Sequence, residues 1–165
     1  MSNEMNLRLE VIKIPVSDVD RAKKFYQEKL GFRLDADLDA EGFKRLLGFK
    51  PPLPANFRNV QMTPPGSACS IHFGTRTADS QAPGSLDGLY LITDDIEAAR
   101  QELVRRGVDV SEPYHLGPNG QTPGVHPEHQ SYNTYVSFKD PDGNGWLIQE
   151  IRKRIPGRGS YEVKG

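Results

Sequence analysis

The sequence predicts an α+β fold assembled from two copies of one βαβββ unit, and three observations carry that expectation. A strand-like segment, an Asp-led helix and a helix-ending glycine run from Ile12 through Asp18 to Gly31, and they recur from Leu89 through Asp95 to Gly107. Each Asp-led stretch has apolar residues at helical spacing, whereas the segments around it read as short strands. Turn-forming clusters separate the later strands, Pro64-Pro65-Gly66-Ser67 in the first copy and Asp140-Pro141-Asp142-Gly143-Asn144-Gly145 in the second. Two copies in a chain of 165 residues point to a fold made by duplication, with its working site where the copies meet.

The first copy covers about residues 7 to 76. Strand alternation runs through Val11, Ile12, Ile14 and Val16, after which Ser17 or Asp18 caps a helix with Ala22, Phe25, Tyr26 and Leu30 on one stripe. Gly31 supplies the left-handed stop. Residues 32–38 read as a strand, a loop over 39–57 contains Pro51, Pro52 and Pro54, and strands follow near 59–63 and 68–74.

The second copy covers about residues 85 to 151. Asp94 and Glu97 have capping-box spacing, Ile96, Ala99, Leu103 and Val104 form the stripe to be buried, and Gly107 closes the helix. A short strand at 108–110, a long polar loop at 111–130, a strand at 131–138 and a last strand at 146–151 complete the order. The linker at 77–84 is too short for independent domains, so one domain over 1–151 and a basic tail over 152–165 are expected.

Composition narrows the class. With 36% hydrophobic and 26% charged residues the chain can bury a core of ordinary size. Its single cysteine, Cys69, has no internal disulfide partner, and no N-terminal apolar segment resembles a secretion signal, so a cytoplasmic protein is expected. No apolar run reaches the roughly 18 to 20 residues that span a bilayer. A net charge of −1 gives no general attraction to nucleic acid, and the basic residues Arg152, Lys153, Arg154, Arg158 and Lys164 have only Tyr161 interleaved among them, too few aromatics for a stacking platform. Gly117-Pro118-Asn119-Gly120 and Gly157-Arg158-Gly159 lack the strand-to-helix setting of a phosphate loop. The 140–145 turn has the composition of part of a calcium loop, but without a twelfth-position Glu it reads as a hairpin turn.

Pro15-Val16-Ser17-Asp18-Val19-Asp20-Arg21-Ala22, Phe25-Tyr26, Leu30-Gly31-Phe32, Asp94-Asp95-Ile96 and Phe138-Lys139-Asp140-Pro141-Asp142-Gly143-Asn144 together resemble the vicinal oxygen chelate superfamily of glyoxalases, bleomycin resistance proteins and extradiol dioxygenases. The resemblance covers about residues 8 to 151. It implies two βαβββ modules whose sheets curl into a concave cleft, a homodimer, and often a divalent metal such as Ni, Zn, Mn or Fe held by His, Glu or Gln from four strands. Carried over position by position, those ligands fall on Val11, His72, Gly88 and Leu147, of which only His72 coordinates metals. A bulge near Gly145 would turn Glu150 inward as a second ligand. Further donors are His115, His126 and His129, although Pro127 breaks the helical context that makes two nearby His a chelate. The expectation is therefore no catalytic metal, with His72 and Glu150 as the ligands if one is bound.

Strand parity selects the residues that face the cleft. With Ile12, Ile14, Ile71, Phe73, Leu89 and Leu91 in the core, the other face holds Lys13, Ser70, His72, Tyr90 and either Gln149 or Glu150. A cation, an imidazole and a phenol on an apolar wall suit an anionic or aromatic small molecule, and His72 with a neighbouring base or acid suits proton transfer. Each of the three also has a structural reading, as a solvated lysine, a satisfied histidine or a packed tyrosine. Cys69 has no neighbouring base and reads as a small hydrophobe, and Trp146 as packing. Two functional classes follow. One is a binding protein that holds its ligand against Lys13, Ser70, His72, Tyr90 and Gln149. The other is an enzyme, either a metal-dependent glyoxalase-like lyase, isomerase or dioxygenase using His72 and Glu150, or a metal-free acid/base catalyst using His72.

Overall fold

Aspartate-capped helices and short apolar strands organise the chain, whose computed structural model describes residues 5–75 and 81–155. Two units hold their contacts internally. One comprises the residues up to Leu86 together with Asp140–Asn144, and the other comprises Asp87–Lys139 with the residues from Gly145 onward.

Unit one contains β1 (Val11–Lys13), α1 (Val19–Lys24) continuing as a π-helical turn (Phe25–Lys29), β2 (Arg33–Asp39), α2 (Ala40–Leu47), β3 (Arg58–Thr63) and β4 (Ser70–Gly74). Its sheet has the order β1-β4-β3-β2, with β1 parallel to β4 and the other pairs antiparallel. Asp18, in extended backbone, caps α1 by accepting the Arg21 N–H at 3.0 Å. The predicted stripe is realised by Ala22 and Tyr26, both fully buried. Widening to the π-turn joins the Leu30 N–H to the Phe25 carbonyl at 3.3 Å, and Gly31 then takes the left-handed stop at φ 71°.

Tyr26 is the centre of this core. Its ring lies 5.6 Å from Phe32 and 5.8 Å from Phe73, and its hydroxyl donates to Asp140 Oδ2 at 2.8 Å. Asp140 Oδ1 accepts the backbone N–H groups of Asp142, Gly143 and Asn144, and Asn144 Nδ2 donates to the Pro15 carbonyl at 2.9 Å. These bonds satisfy a buried carboxylate and explain why the 140–144 turn belongs to unit one.

Unit two repeats the plan with β5 (Leu89–Thr93), α3 (Ile96–Arg105), β6 (Tyr114–Gly117), β7 (Gly120–Pro123), β8 (Tyr135–Lys139) and β9 (Gly145–Glu150). The order is β5-β9-β8-β6-β7, again with the first pair parallel. Leu89, Ile96, Val136, Phe138, Trp146 and Ile148 build the core, with Phe138 and Trp146 stacked at 6.2 Å. The α+β fold of two βαβββ modules predicted from the sequence is thus present, with one added element in each.

Several local expectations require correction. The loop read over 39–57 contains α2, which Asp39 caps by accepting the Gly42 N–H at 2.7 Å and Gly48 ends at φ 77°. Its prolines all lie beyond that end. The 111–130 loop contains the β6–β7 hairpin, closed where Gly117 pairs with Gly120. Residues 108–110 and 131–134 are not strands; Val108 and Val110 are buried by packing without a ladder partner. Asp95, not Asp94, caps α3 by accepting the Ala98 N–H, and Val104 is 47% exposed rather than buried. Residues 5–10 form no strand, and Met5, Leu7 and Leu9 are exposed. At the other end, the N–H groups of Arg152 and Lys153 bind Ser131 Oγ, while Arg158, Lys164 and linker residues 77–80 lie outside the described residues. Among the described residues no helix is long and apolar enough to cross a membrane.

Candidate functional site

Residues directly opposite across paired strands share a sheet face. In unit one the register Lys13↔His72, His72↔Gln61 and Gln61↔Ala36 makes a row on the face away from Val60, Met62, Ile71 and Phe73. His72 is partly buried, and its Nε2 is buried with no hydrogen-bond partner among the described residues. Burial, and then the Lys13 charge, push its pKa below the usual 6.5, so the neutral imidazole is favoured.

Beside that row runs a string of polar groups. The Thr63 hydroxyl donates to Asp35, which leaves the buried Ser70 hydroxyl to donate to Thr63 Oγ1 at 2.7 Å. The Thr63 bond, followed by Arg33, holds the Asp35 carboxyl below its ordinary pKa despite desolvation. Ser70 therefore faces the predicted side of the sheet but spends its proton inside the protein.

The corresponding face of unit two is largely aromatic and aliphatic, with the exposed Lys139 at the end of β8 as a charged residue on it. Its rows are Tyr90–Leu147–Ser137 and Ile92–Gln149–Tyr135–Tyr114, opposite the buried Leu89, Val136, Phe138, Trp146 and Ile148. Tyr90 is 56% exposed and Ile92 48%. The Tyr114 and Tyr135 rings stack at 5.5 Å, 25° from parallel. Gln149 Nε2 donates to the Tyr132 carbonyl and the Tyr135 hydroxyl, both at 3.1 Å, and the Tyr135 hydroxyl donates to the Tyr132 carbonyl at 2.6 Å. Burial first, then Tyr90 and Tyr135, raise the Tyr114 pKa, so it stays a phenol. A cavity of about 520 Å³ adjoins Tyr114, with Glu112, Gln121 and Ser137 in its wall.

Register decides between Gln149 and Glu150. The β8–β9 pairing runs without interruption from Lys139↔Gly145 to Tyr135↔Gln149, so no bulge intervenes and Gln149 takes the open face. Glu150 lies fully buried on the side of α3. There Oε2 accepts the Ile96 N–H in the first turn of α3 at 3.2 Å, Oε1 accepts from His129 Nδ1 at 2.9 Å, and Arg152 stands 3.6 Å away. The structure thus separates Glu150 from Gln149, and the carboxylate is engaged by the framework of unit two.

The remaining histidines do not assemble a chelate. His115 Nδ1 donates to the Gly124 carbonyl at 2.8 Å, and His126 Nδ1 accepts the N–H groups of Glu128 and Gln130. Among the described residues no group of three or more His, Cys, Asp or Glu side chains is placed to hold a metal. Val11, Gly88 and Leu147 offer no donor atoms, so the residues at the superfamily's metal positions do not fit a divalent ion. Cys69 is a thiol held protonated, by burial and then by the Glu10 charge.

Residues 8–148 match the Glyoxalase/Bleomycin resistance protein/Dioxygenase superfamily. The chain belongs to this superfamily. Among solved structures it is similar to TnmS3, an antibiotic binding protein from Streptomyces sp. CB03234, with 30% identity over 89% of this chain and 98% of that one and a TM-score of 0.64. A glyoxalase/bleomycin resistance protein from the same organism is 31% identical over 87% of this chain and 100% of its own, at a TM-score of 0.60. A superfamily member from Sphaerobacter thermophilus DSM 20745 is 29% identical over 87% and 97%, at 0.59. Among curated proteins none matches.

Within the superfamily fold, sequence parity reaches Lys13, His72 and Tyr90, leaves Gln149 and Glu150 as alternatives, and does not reach Tyr114, Tyr135 or Gln61. The alternation of Tyr135 and Ser137 with the buried Val136 and Phe138 was a usable signal for one of them. Tyr114 had none, because its strand sits in a stretch dominated by Gly and Pro.

Proposed function

We propose that this protein binds a small organic molecule on its open sheet faces and does so without a catalytic metal. The observation that carries this reading is the open face of unit two, where Tyr90, Ile92, Tyr114, Tyr135 and Leu147 leave aromatic and aliphatic surface in contact with solvent. Exposed surface of that kind, with a few polar groups at fixed positions, suits a ligand. The description of TnmS3 as an antibiotic binding protein supports an antibiotic-like compound as the ligand class. Gln149 adds a polar contact on that face, and Lys13, Ser70 and His72 give the sheet of unit one polar groups of its own. A homodimer is the expected assembly on the superfamily likeness alone.

The Lys13–His72 pair favours one alternative, metal-free acid/base catalysis. A neutral imidazole with a buried, unpaired Nε2 has the state a general base needs. The binding reading is preferred because no carboxylate accompanies His72 in its row to relay or hold the proton.

The test is elemental analysis of untagged protein, followed by titration with Ni²⁺, Zn²⁺, Mn²⁺ and Fe²⁺ of the wild type and a His72→Ala variant. The proposal expects metal to be absent, or bound with no dependence on His72. Near-stoichiometric metal that the variant loses would overturn it.

A further inference from the structure

We infer that the open face of unit one takes an organic acid, its carboxylate held by Lys13, His72 and Gln61 side by side on β1, β4 and β3. This rests on the small-molecule reading above and gives that face its ligand class.

The register sets Lys13 opposite His72 and His72 opposite Gln61, so these polar side chains stand in one row, each about 5 Å from the next. Lys13 is exposed and the other two are half-buried. None of these side chains has a hydrogen-bond or ion-pair partner among the described residues. By contrast, Ser70, Thr63 and Asp35 beside the row bind one another, and on the opposite face Asp37 holds Arg58 and Lys23. The fold leaves the polarity of the row unused.

The unused groups are mostly donors. Lys13 offers only N–H bonds, and the Gln61 amide offers its N–H pair together with an oxygen. His72 is neutral with its Nε2 buried and unpartnered, and because buried orphan N–H groups are rarer than orphan acceptors, the ring proton is assigned to Nδ1 as a further donor.

Charge then selects among ligand acceptors. Asp35, a carboxylate that reaches this face, is bound by Thr63 and by Arg33 Nε at 2.6 Å, and Glu10 has the opposite strand parity to Lys13. On α2, whose Gly42 lies against Leu38 of β2, Glu41 is 3.6 Å from Lys44, and Arg45 follows. The balance on this face is positive. An oxyanion gains charge-assisted bonds from all three side chains at once, whereas a neutral group leaves the ammonium unpaired and a cation is repelled by it.

Calorimetric titration at neutral pH with 2-naphthoate (anion), 2-naphthamide (neutral) and 2-(aminomethyl)naphthalene (cation) tests this. 2-Naphthoate should bind at least about ten-fold tighter than the other two. Lys13→Met should erase that margin by weakening 2-naphthoate alone, and Lys13→Arg should keep it. Gln61→Leu should weaken 2-naphthoate more than 2-naphthamide, which keeps the test decisive if Lys13→Met does not fold. Bound 2-naphthoate should also raise the midpoint of the His72 ring titration followed by NMR, and 2-naphthamide should not. Equal affinity for the anion and the amide, an unchanged margin in Lys13→Met, or a margin lost in Lys139→Met instead overturns this assignment and leaves the small-molecule reading standing. Failure of all three probes to bind overturns both.

Discussion

Lys13 and His72 stand opposite one another in the parallel register of β1 and β4, and the cation adds to burial in keeping the imidazole neutral. The equivalent pair in the repeat, counted from the capping aspartates Asp18 and Asp95, is Tyr90 and Leu147, which also stand opposite one another. Duplication has thus left one backbone arrangement with a cation beside an imidazole in unit one and a phenol beside an aliphatic side chain in unit two.

The Lys13 charge should be visible in the titration of His72. In the unfolded chain this residue titrates near 6.5 and in the folded chain below it. Between those values the unfolded state holds more protons, so stability rises with pH across the window and is lost as pH falls through it. Lys13→Met raises the folded pKa toward 6.5 and narrows the window. An NMR titration of the His72 ring in both proteins checks this, and identical midpoints would refute it.

Asp37 gives the same sign of pH dependence in a more acid window. Hydrogen bonds from Arg58, then Lys23, hold its pKa at about 2 against 3.8. The stability this confers is complete above 3.8 and disappears as pH falls toward 2. Asp37→Asn should lower the urea midpoint at pH 7 and leave it unchanged near pH 2.

Neighbouring residues in β9 should separate stability from binding. Glu150→Gln disturbs buried bonds to Ile96 and His129 and is expected to cost about 1–3 kcal/mol of unfolding free energy, with ligand affinity retained. Gln149→Ala on the open face should do the reverse. Paired denaturation and binding curves for the two variants decide it, and a large loss of affinity in Glu150→Gln with normal stability would contradict the assignment.

Tyr26→Phe removes the donor to the buried Asp140 carboxylate and keeps the ring. A loss of about 1.5–3 kcal/mol is expected, the range for a hydrogen bond to a charged group. Chemical denaturation measures it, and a loss below about 0.5 kcal/mol would show that the hydroxyl is dispensable.

The duplicated fold was legible because its signals are local. A capping aspartate and a left-handed glycine act within a turn or two of their own position, and so survive without knowledge of the partner strands. The added elements were not. In α2 the helix is confined between Asp39 and Gly48 and the following prolines mask it, while the β6–β7 hairpin is made of residues whose composition reads as loop. Parity found Lys13, His72 and Tyr90 because one strand suffices for that inference. Choosing Gln149 over Glu150 required the pairing of β9 with β8, which a single sequence does not contain. Tyr114 joins the face only through its pairing with Tyr135, a contact across about twenty residues.

The most direct test of metal-free small-molecule binding is the melting temperature of chelator-treated protein across a panel of antibiotics with planar chromophores, each measured with and without added Zn²⁺, Mn²⁺ and Ni²⁺. At least one compound should raise the melting temperature in a concentration-dependent way, by the same amount with and without metal. Protection that appears only after metal is added, or no protection by any compound, would contradict the account.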